Sequence, residues 1–343
     1  MQFLTRPPVQ FALLILFCVV DQTVAAEALG AGPGTDEAGQ AGPPPWTWSF
    51  EKLSEIVNGI SPGLDLTPRQ WPGGARVAVM FSLDVDNETE FLVLLQGPVE
   101  SQSDINVFEL SSYQYGARRG IRRLTNIFDK YEVPATYFMP TVALRLSPDM
   151  ADVIGRSGRH EIALHGAVHE PASALSPERQ RALFEESIAY LEQATGQKPV
   201  GYRAPLAVMT EHTIPIMKEL GMLYSSNVLS DDRPFEINLN GKPSGMIELP
   251  PSINMSDGPL MITVNPFARA LAPRDVLQTY KDAFDTADEE GGIWIFVGHP
   301  HVSGRRSRAV IIEELIQYMK ARGDVWFATH REVAEYVDAQ WKR

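Results

Sequence analysis

Six short apolar runs, rich in β-branched and aromatic residues and separated by longer stretches of helical period, constrain this chain more than any other feature. They lie at 77–83, 135–139, 162–165, 246–249, 293–297 and 325–328. Between them Ile121, Leu124, Ile127, Phe128 and Tyr131 fall on one helical face, as do Phe184, Ile188 and Leu191. Helix boundary signals agree. Ser176-Pro177 supplies an N-cap followed by proline at the first helical position, Gly196 and Gly221 sit where C-terminal glycines belong, and Thr329 with Glu332 fits a capping box. Strand then helix, repeated this often, demands a parallel sheet covered by helices. The expected fold class is α/β, a closed or slightly broken β/α barrel, with a doubly wound open sheet as the alternative.

The N-terminus reads differently. Arg6 precedes the apolar run Phe11 to Val20, and small residues follow up to Ala25-Ala26, the layout of a secretory signal over 1–26. The run falls short of the roughly 20 residues a membrane-spanning helix needs, so stable membrane insertion is not expected. Cleavage there would remove Cys18, the single cysteine, which suits a secreted or periplasmic protein without disulfides. Residues 27–45 are dense in Gly, Ala and Pro and read as a flexible linker. From 46 to 343 no composition break, repeat or low-complexity tract interrupts a single catalytic domain. The formal net charge is -13, and no Lys/Arg cluster offers a basic face for tracking phosphates, so nucleic acid is not an expected partner.

Four segments carry candidate chemistry. The first apolar run ends in Asp84-Val85-Asp86-Asn87, and alternation along a strand puts Asp84 and Asp86 on one face at its C-terminal end, which is the active-site mouth in a β/α barrel. The plainer alternative is a turn that breaks the strand. The third run ends in His165-Gly166-Ala167-Val168-His169, two imidazoles with a glycine between them where the chain must turn. Neutral imidazole nitrogens and a carboxylate oxygen suit Zn²⁺ and similar ions, and three protein ligands leave positions open for water and substrate. Arg203, before Ala204-Pro205, can orient a neighbouring carboxylate or stand as a surface arginine before a turn. The run at 293–297 delivers His299, placed to donate a proton near neutral pH. His301 two residues later reads as exposed, and His160, His212 and His330 read as solvated or capping residues.

Taken together and in this order, these elements resemble the polysaccharide deacetylase family with NodB homology, over about residues 70 to 335. Asp84-x-Asp86, His165-x-x-x-His169, Arg203-x-Pro205 and the strand ending at His299 resemble its four motifs. His299-Pro300 with Gly304-Arg305, and Val325-Trp326-Phe327-Ala328-Thr329, look like the branch holding bacterial peptidoglycan deacetylases and allantoinase or cyclic-imide hydrolase relatives. The resemblance implies a distorted (β/α) barrel with its site at the strand ends. It implies Asp86, His165 and His169 as ligands of a divalent metal, Zn²⁺ or else Co²⁺. It implies Asp84 as general base, Arg203 as its partner and His299 as general acid, and Tyr202, Pro205 and Arg305 are expected at the substrate. Two departures stand out: Ser225 occupies a position where Asp is common, and Glu248-Leu249-Pro250 lacks a following aromatic. Asp231, Asp232 and Asp257 are the candidates for the missing carboxylate beside His299.

The activity expected from this set is hydrolysis of an amide, with a polysaccharide or amino sugar as substrate, most naturally an N-acetyl group on a cell-wall glycan. Opening of a cyclic amide needs the same groups and a smaller pocket. A carbohydrate-binding relative without turnover is the non-enzyme alternative, and the retained Asp86, His165 and His169 argue against it. The sequence is compatible with a homo-oligomer.

Overall fold

One parity runs through the strands and decides what faces what. In the strand Val77–Asp84 (β2), Val77, Val79, Phe81 and Leu83 join the core shared with the outer helices, while Ala78 and Met80 join a second core inside the sheet. Ala135–Met139 (β3), Glu161–Leu164 (β4) and Ile293–Gly298 (β9) do the same. Ala135, Tyr137, Ile162, Leu164, Trp294 and Phe296 point outward; Phe138, Ala163, Ile293 and Ile295 point inward. Both faces are buried, which is why these strands read as continuous apolar runs instead of alternating ones.

The protein is described by a computed structural model over residues 43–95, 99–262 and 270–342. The expected signal at 1–26, and the linker as far as residue 42, lie outside the described residues. Six further strands complete the sheet: Ile60–Asp65 (β1), Gly201–Tyr202 (β5), Tyr224–Ser225 (β6), Phe235–Leu239 (β7), Lys242–Glu248 (β8) and Val325–Phe327 (β10). The sheet order is β1-β7-β8-β6-β5-β4-β3-β2-β10, with β9 also on β2. All pairings are parallel except the two that β7 makes, with β1 and with β8. Ala78 and Val79 pair with both β9 and β10, and Phe81 to Leu83 with both β9 and β3. One edge of β2 is therefore lined by β9, and the other by β10 and then β3. The result is a curled, incompletely closed barrel, as expected from the sequence. The antiparallel β1–β7–β8 flap was not expected. β5 and β6 span two residues each, too short for any periodicity to register.

Helices cover the outer face where their apolar spacing predicts. Ile121–Lys130 buries Ile121, Leu124 and Phe128, each worth about 1.5–3 kcal/mol as a fully buried large side chain. Pro177–Thr195 starts with the Ser176 hydroxyl accepting from the Arg179 N–H and ends on Gly196 at φ 73°. The Thr329–Glu332 capping box forms as expected. Among the described residues no helix is long and apolar enough to cross a membrane.

Candidate functional site

The inward parity of β2 carries Ser82 and Asp84 into the barrel mouth. Asp86 follows beyond the strand end, 1% exposed. The inward parity of β4, through Glu161 and Ala163, ends on His165. Gly166 at φ 72° turns the chain, and His169 closes the turn at φ 67°. Of the described non-glycine residues with positive φ, Asn87, His169, Leu206 and Ala207 belong to the motif segments, where backbone strain of roughly 1–3 kcal/mol per residue persists only if the surroundings hold it.

These turns bring three ligand atoms together. His165 Nε2 lies 3.1 Å from Asp86 Oδ1, and His169 Nε2 lies 3.6 Å from Asp86 Oδ2. All three side chains are buried, with ligand atoms within 4.8 Å of one another. The donor chemistry fits a divalent metal. His165 Nδ1–H donates to the Arg203 carbonyl at 2.7 Å, which fixes the tautomer and leaves the Nε2 lone pair facing the carboxylate. Asp86 Oδ1 is buried and accepts no hydrogen bond. Burial pulls the His169 pKa down to about 4 against the attraction of Asp86, so this imidazole is neutral at pH 7, as a ligand must be. Burial also opposes charge on Asp86, but His169, His165 and His299 outweigh it and hold the carboxyl below its ordinary range.

Beside this triad stands a buried ion pair. Arg203 Nη1 donates to Asp84 Oδ1 at 2.7 Å and to Ser82 Oγ at 2.9 Å. Nη2 donates to Ser226 Oγ at 2.9 Å, and Nε to the Ser226 carbonyl at 3.3 Å. The guanidinium lies 4.0 Å from the centroid of Phe138. This fork of donors plus a ring face is a role lysine cannot fill.

On the other strand, inward residues Ile293, Ile295 and Val297 lead to His299. Its Nδ1–H donates to Asp257 Oδ1 at 2.6 Å, and its backbone N–H to Asp257 Oδ2 at 2.9 Å. Ser303 adds a hydroxyl donor to Oδ2 at 2.5 Å. The other ring nitrogen, Nε2, is 3.5 Å from Asp86 Oδ2. Burial opposes protonation of His299, but Asp257 and then Asp86 outweigh it and raise its pKa well above the ordinary imidazole value. A wide helical turn at Gly116–Gly120 backs this loop. A Cβ on Gly120 would come within 1.9 Å of the Pro300 carbonyl oxygen, so only glycine admits the approach.

The structure thus brings Asp84, Asp86, His165, His169, Arg203 and His299 together. Of the three acids named as partners for His299, Asp257 takes the role, while Asp231 is spent on the Arg233 N–H at 3.0 Å. Pro205 is buried beside the Gly166 turn. One expectation needs correction. The Tyr202 ring packs on Phe184, centroids 4.6 Å apart, in the core under the helices, so it offers no surface to a substrate. Arg305 ties the His299 loop to the helix Val107–Tyr115, donating to the carbonyls of His301 (3.0 Å) and Ser112 (3.1 Å) with its guanidinium 3.9 Å from the Tyr115 centroid. The remaining histidines also differ. His160, His301 and His330 are buried rather than solvated, because each points between elements that meet only in three dimensions. His330 sits behind Arg203, its Nε2 3.4 Å from Nη2, and burial and then the guanidinium press its pKa well below the ordinary value. His301 is held down to about 4 by burial and then by His299. Nearby Glu90, in the helix Glu88–Val93, is pushed up to about 7 by burial and then by Asp86.

Behind the Arg203 segment, Glu248 ends β8 fully buried. Its Oε1 accepts the N–H groups of Asn227 (2.5 Å) and Val228 (3.1 Å), and Asn227 in turn holds the Ala204 N–H at 2.6 Å. Burial outweighs these bonds and pushes the Glu248 carboxyl from 4.5 up to about 7. A carboxyl raised in the folded state contributes stability that is present below pH 4.5 and lost as pH rises through 7. Glu248→Gln keeps the acceptor and stays neutral. It is expected to match the parent chain near pH 4.5 and to exceed it at pH 8 by up to about 3 kcal/mol, read from urea unfolding at both pH values. A pH-independent difference would contradict this account.

Comparison with known proteins gives the following likenesses. Residues 110–225 match the family described as polysaccharide deacetylase. A peptidoglycan deacetylase of Helicobacter pylori is 24% identical over 286 residues, covering 76% of this chain and 95% of that protein. A solved structure from Mycobacterium smegmatis, assigned as a polysaccharide deacetylase, is 32% identical with a TM-score of 0.71, covering 82% of this chain and 96% of that one. An allantoinase structure is 26% identical with a TM-score of 0.66, covering 79% and 94%.

Proposed function

The chain belongs to the polysaccharide deacetylase family, and from that premise we propose that this hydrolase of non-peptide C–N bonds removes N-acetyl groups from a cell-wall glycan. The observation that carries the reading is the buried Asp86–His165–His169 triad with the Asp84–Arg203 pair and the Asp257–His299 pair both beside it. The likeness to a peptidoglycan deacetylase supports the substrate class. The Arg6, Phe11 to Val20 and Ala25-Ala26 pattern supports export to the same compartment.

A divalent metal held by Asp86, His165 and His169, which we take to be Zn²⁺, would supply Lewis-acid polarisation of the amide carbonyl and acidify water. The chain's own groups move the protons. Asp84, oriented by Arg203, accepts the proton that water loses as it attacks the acetyl carbon. His299, oriented by Asp257, donates a proton to the amide nitrogen as the C–N bond breaks, so acetate and a free amine leave. A second reading, opening of a cyclic amide, is favoured by the likeness to an allantoinase. One assay decides between them: acetate release from peptidoglycan, chitin oligomers and acetyl-xylan, and ring opening of hydantoins and imides, each with and without chelator. Chelator-sensitive acetate release from an N-acetylated glycan is the expected result. Ring opening without acetate release would overturn it, as would full activity in a protein containing no metal by elemental analysis.

A further inference from the structure

Among the buried polar atoms of the described residues that lack a hydrogen-bond partner, Asp86 Oδ1 and His169 Nδ1 belong to the triad, while Glu90 Oε2 and His301 Nδ1 belong to residues beside it that the chemistry above does not use. Glu90 and His301 face each other there. His301 Nε2 is 3.7 Å from Glu90 Oε2, beyond the usual hydrogen-bond distance, so the pair does not satisfy itself. Such groups in a native fold await a partner, since buried polar atoms are otherwise almost always bonded.

Both side chains are held in place. His301 is 6% exposed, and its ring lies 4.9 Å from Tyr113 and 5.8 Å from His299, centroid to centroid. Its carbonyl is held by Arg305. Glu90 rides on a short helix whose Phe91 packs on the same Tyr113 ring, at 6.1 Å. The Glu90 side chain is 21% exposed as a whole while its Oε2 is buried, so the residue stands at the edge of the site with an unbonded acceptor facing inward. The row Asp86, His299, His301, Glu90 is continuous, with His299 Nε2 3.5 Å from Asp86 Oδ2 at its inner end. A substrate whose amide sits at the triad and His299 would bring its neighbouring atoms against Glu90.

We propose that Glu90 and His301 form a polar subsite that binds the sugar bearing the scissile amide, with the Glu90 carboxyl accepting a hydrogen bond from a sugar O–H or N–H. This rests on the deacetylase reading and refines it. The pair is too sparse to hold a metal by itself, since two side chains fall short of the three or four ligands a protein site needs. A hydroxyl-bearing ligand matches an acceptor lined by an imidazole, and loss of a buried acceptor is felt in binding.

The test uses the whole protein and N-acetylglucosamine oligomers, with the Glu90→Ala, Glu90→Gln and His301→Gln variants. Calorimetric Kd is measured on chelated protein, and KM and kcat on metal-loaded protein. Glu90→Ala is expected to weaken Kd and raise KM by about tenfold or more, with kcat falling less, and Glu90→Gln, which keeps an acceptor, to recover part of the loss. Unchanged Kd in the Ala variant, or an unchanged KM with kcat alone reduced, would overturn the subsite. So would a parent protein that binds no oligomer. Oligomer binding that depends on Glu90 without acetate release would leave the subsite standing and sink the deacetylase reading instead. Melting temperatures of all variants separate these outcomes from misfolding.

Discussion

Asp84→Asn is expected to lower kcat by about 10²–10⁴, the range general acid–base groups contribute, while metal content stays that of the parent. Asp84 is not among the three side chains whose ligand atoms converge, so the variant should still load metal. Asparagine keeps an oxygen where Asp84 Oδ1 accepts from Arg203 Nη1, which preserves the geometry while removing the basic oxygen. The loss should therefore appear in kcat with KM little changed, the pattern of an interaction made only in the transition state. Elemental analysis and steady-state kinetics on one preparation check both halves. Parent-like kcat in a metal-loaded Asp84→Asn protein would remove Asp84 from the chemistry.

That prediction comes from parity, and parity was the legible part of this protein. An apolar strand with an acid at an inward position tells the reader that Asp84 shares the face of Ala78 and Met80, because side chains alternate regardless of tertiary context. The same rule delivers His165 and His299. What the rule cannot deliver is a partner from elsewhere. Asp257 lies 42 residues before His299, in the short helix Asp257–Met261, and nothing local distinguishes it from Asp231. Glu90 is hidden for a similar reason. In sequence it is an acidic residue in a first helical turn, ordinarily a solvated place, and only the packing of Phe91 and the His301 loop on Tyr113 turns that helix inward. His330 reads as solvated because it lies at a polar segment end, whereas burial is set by what crosses over. His330 is covered by Thr136, Phe138 and Arg203, none of them within a hundred residues.

Arg203→Met carries the largest expected effect on stability, and its size depends on what stands at 84. Arg203 is 5% exposed and its guanidinium donates to Ser82, Asp84 and Ser226. Methionine fills part of the volume over Phe138 but leaves the buried Asp84 carboxyl without its partner, a loss typically worth about 3–5 kcal/mol. Most of that cost is the stranded acid, so it should shrink when the acid is already gone. In an Asp84→Asn background Arg203→Met is thus expected to be milder by about 1–3 kcal/mol, the coupling typical of contacting residues. The residual cost belongs to the Ser226 and Ser82 bonds, which the double variant still loses. Urea unfolding of the four proteins gives the coupling directly. Additive penalties would mean that the ion pair contributes nothing to the fold, and that Arg203 is retained only to aim Asp84. In that case kcat, already reduced by Asp84→Asn, should not fall further when Arg203 is removed as well.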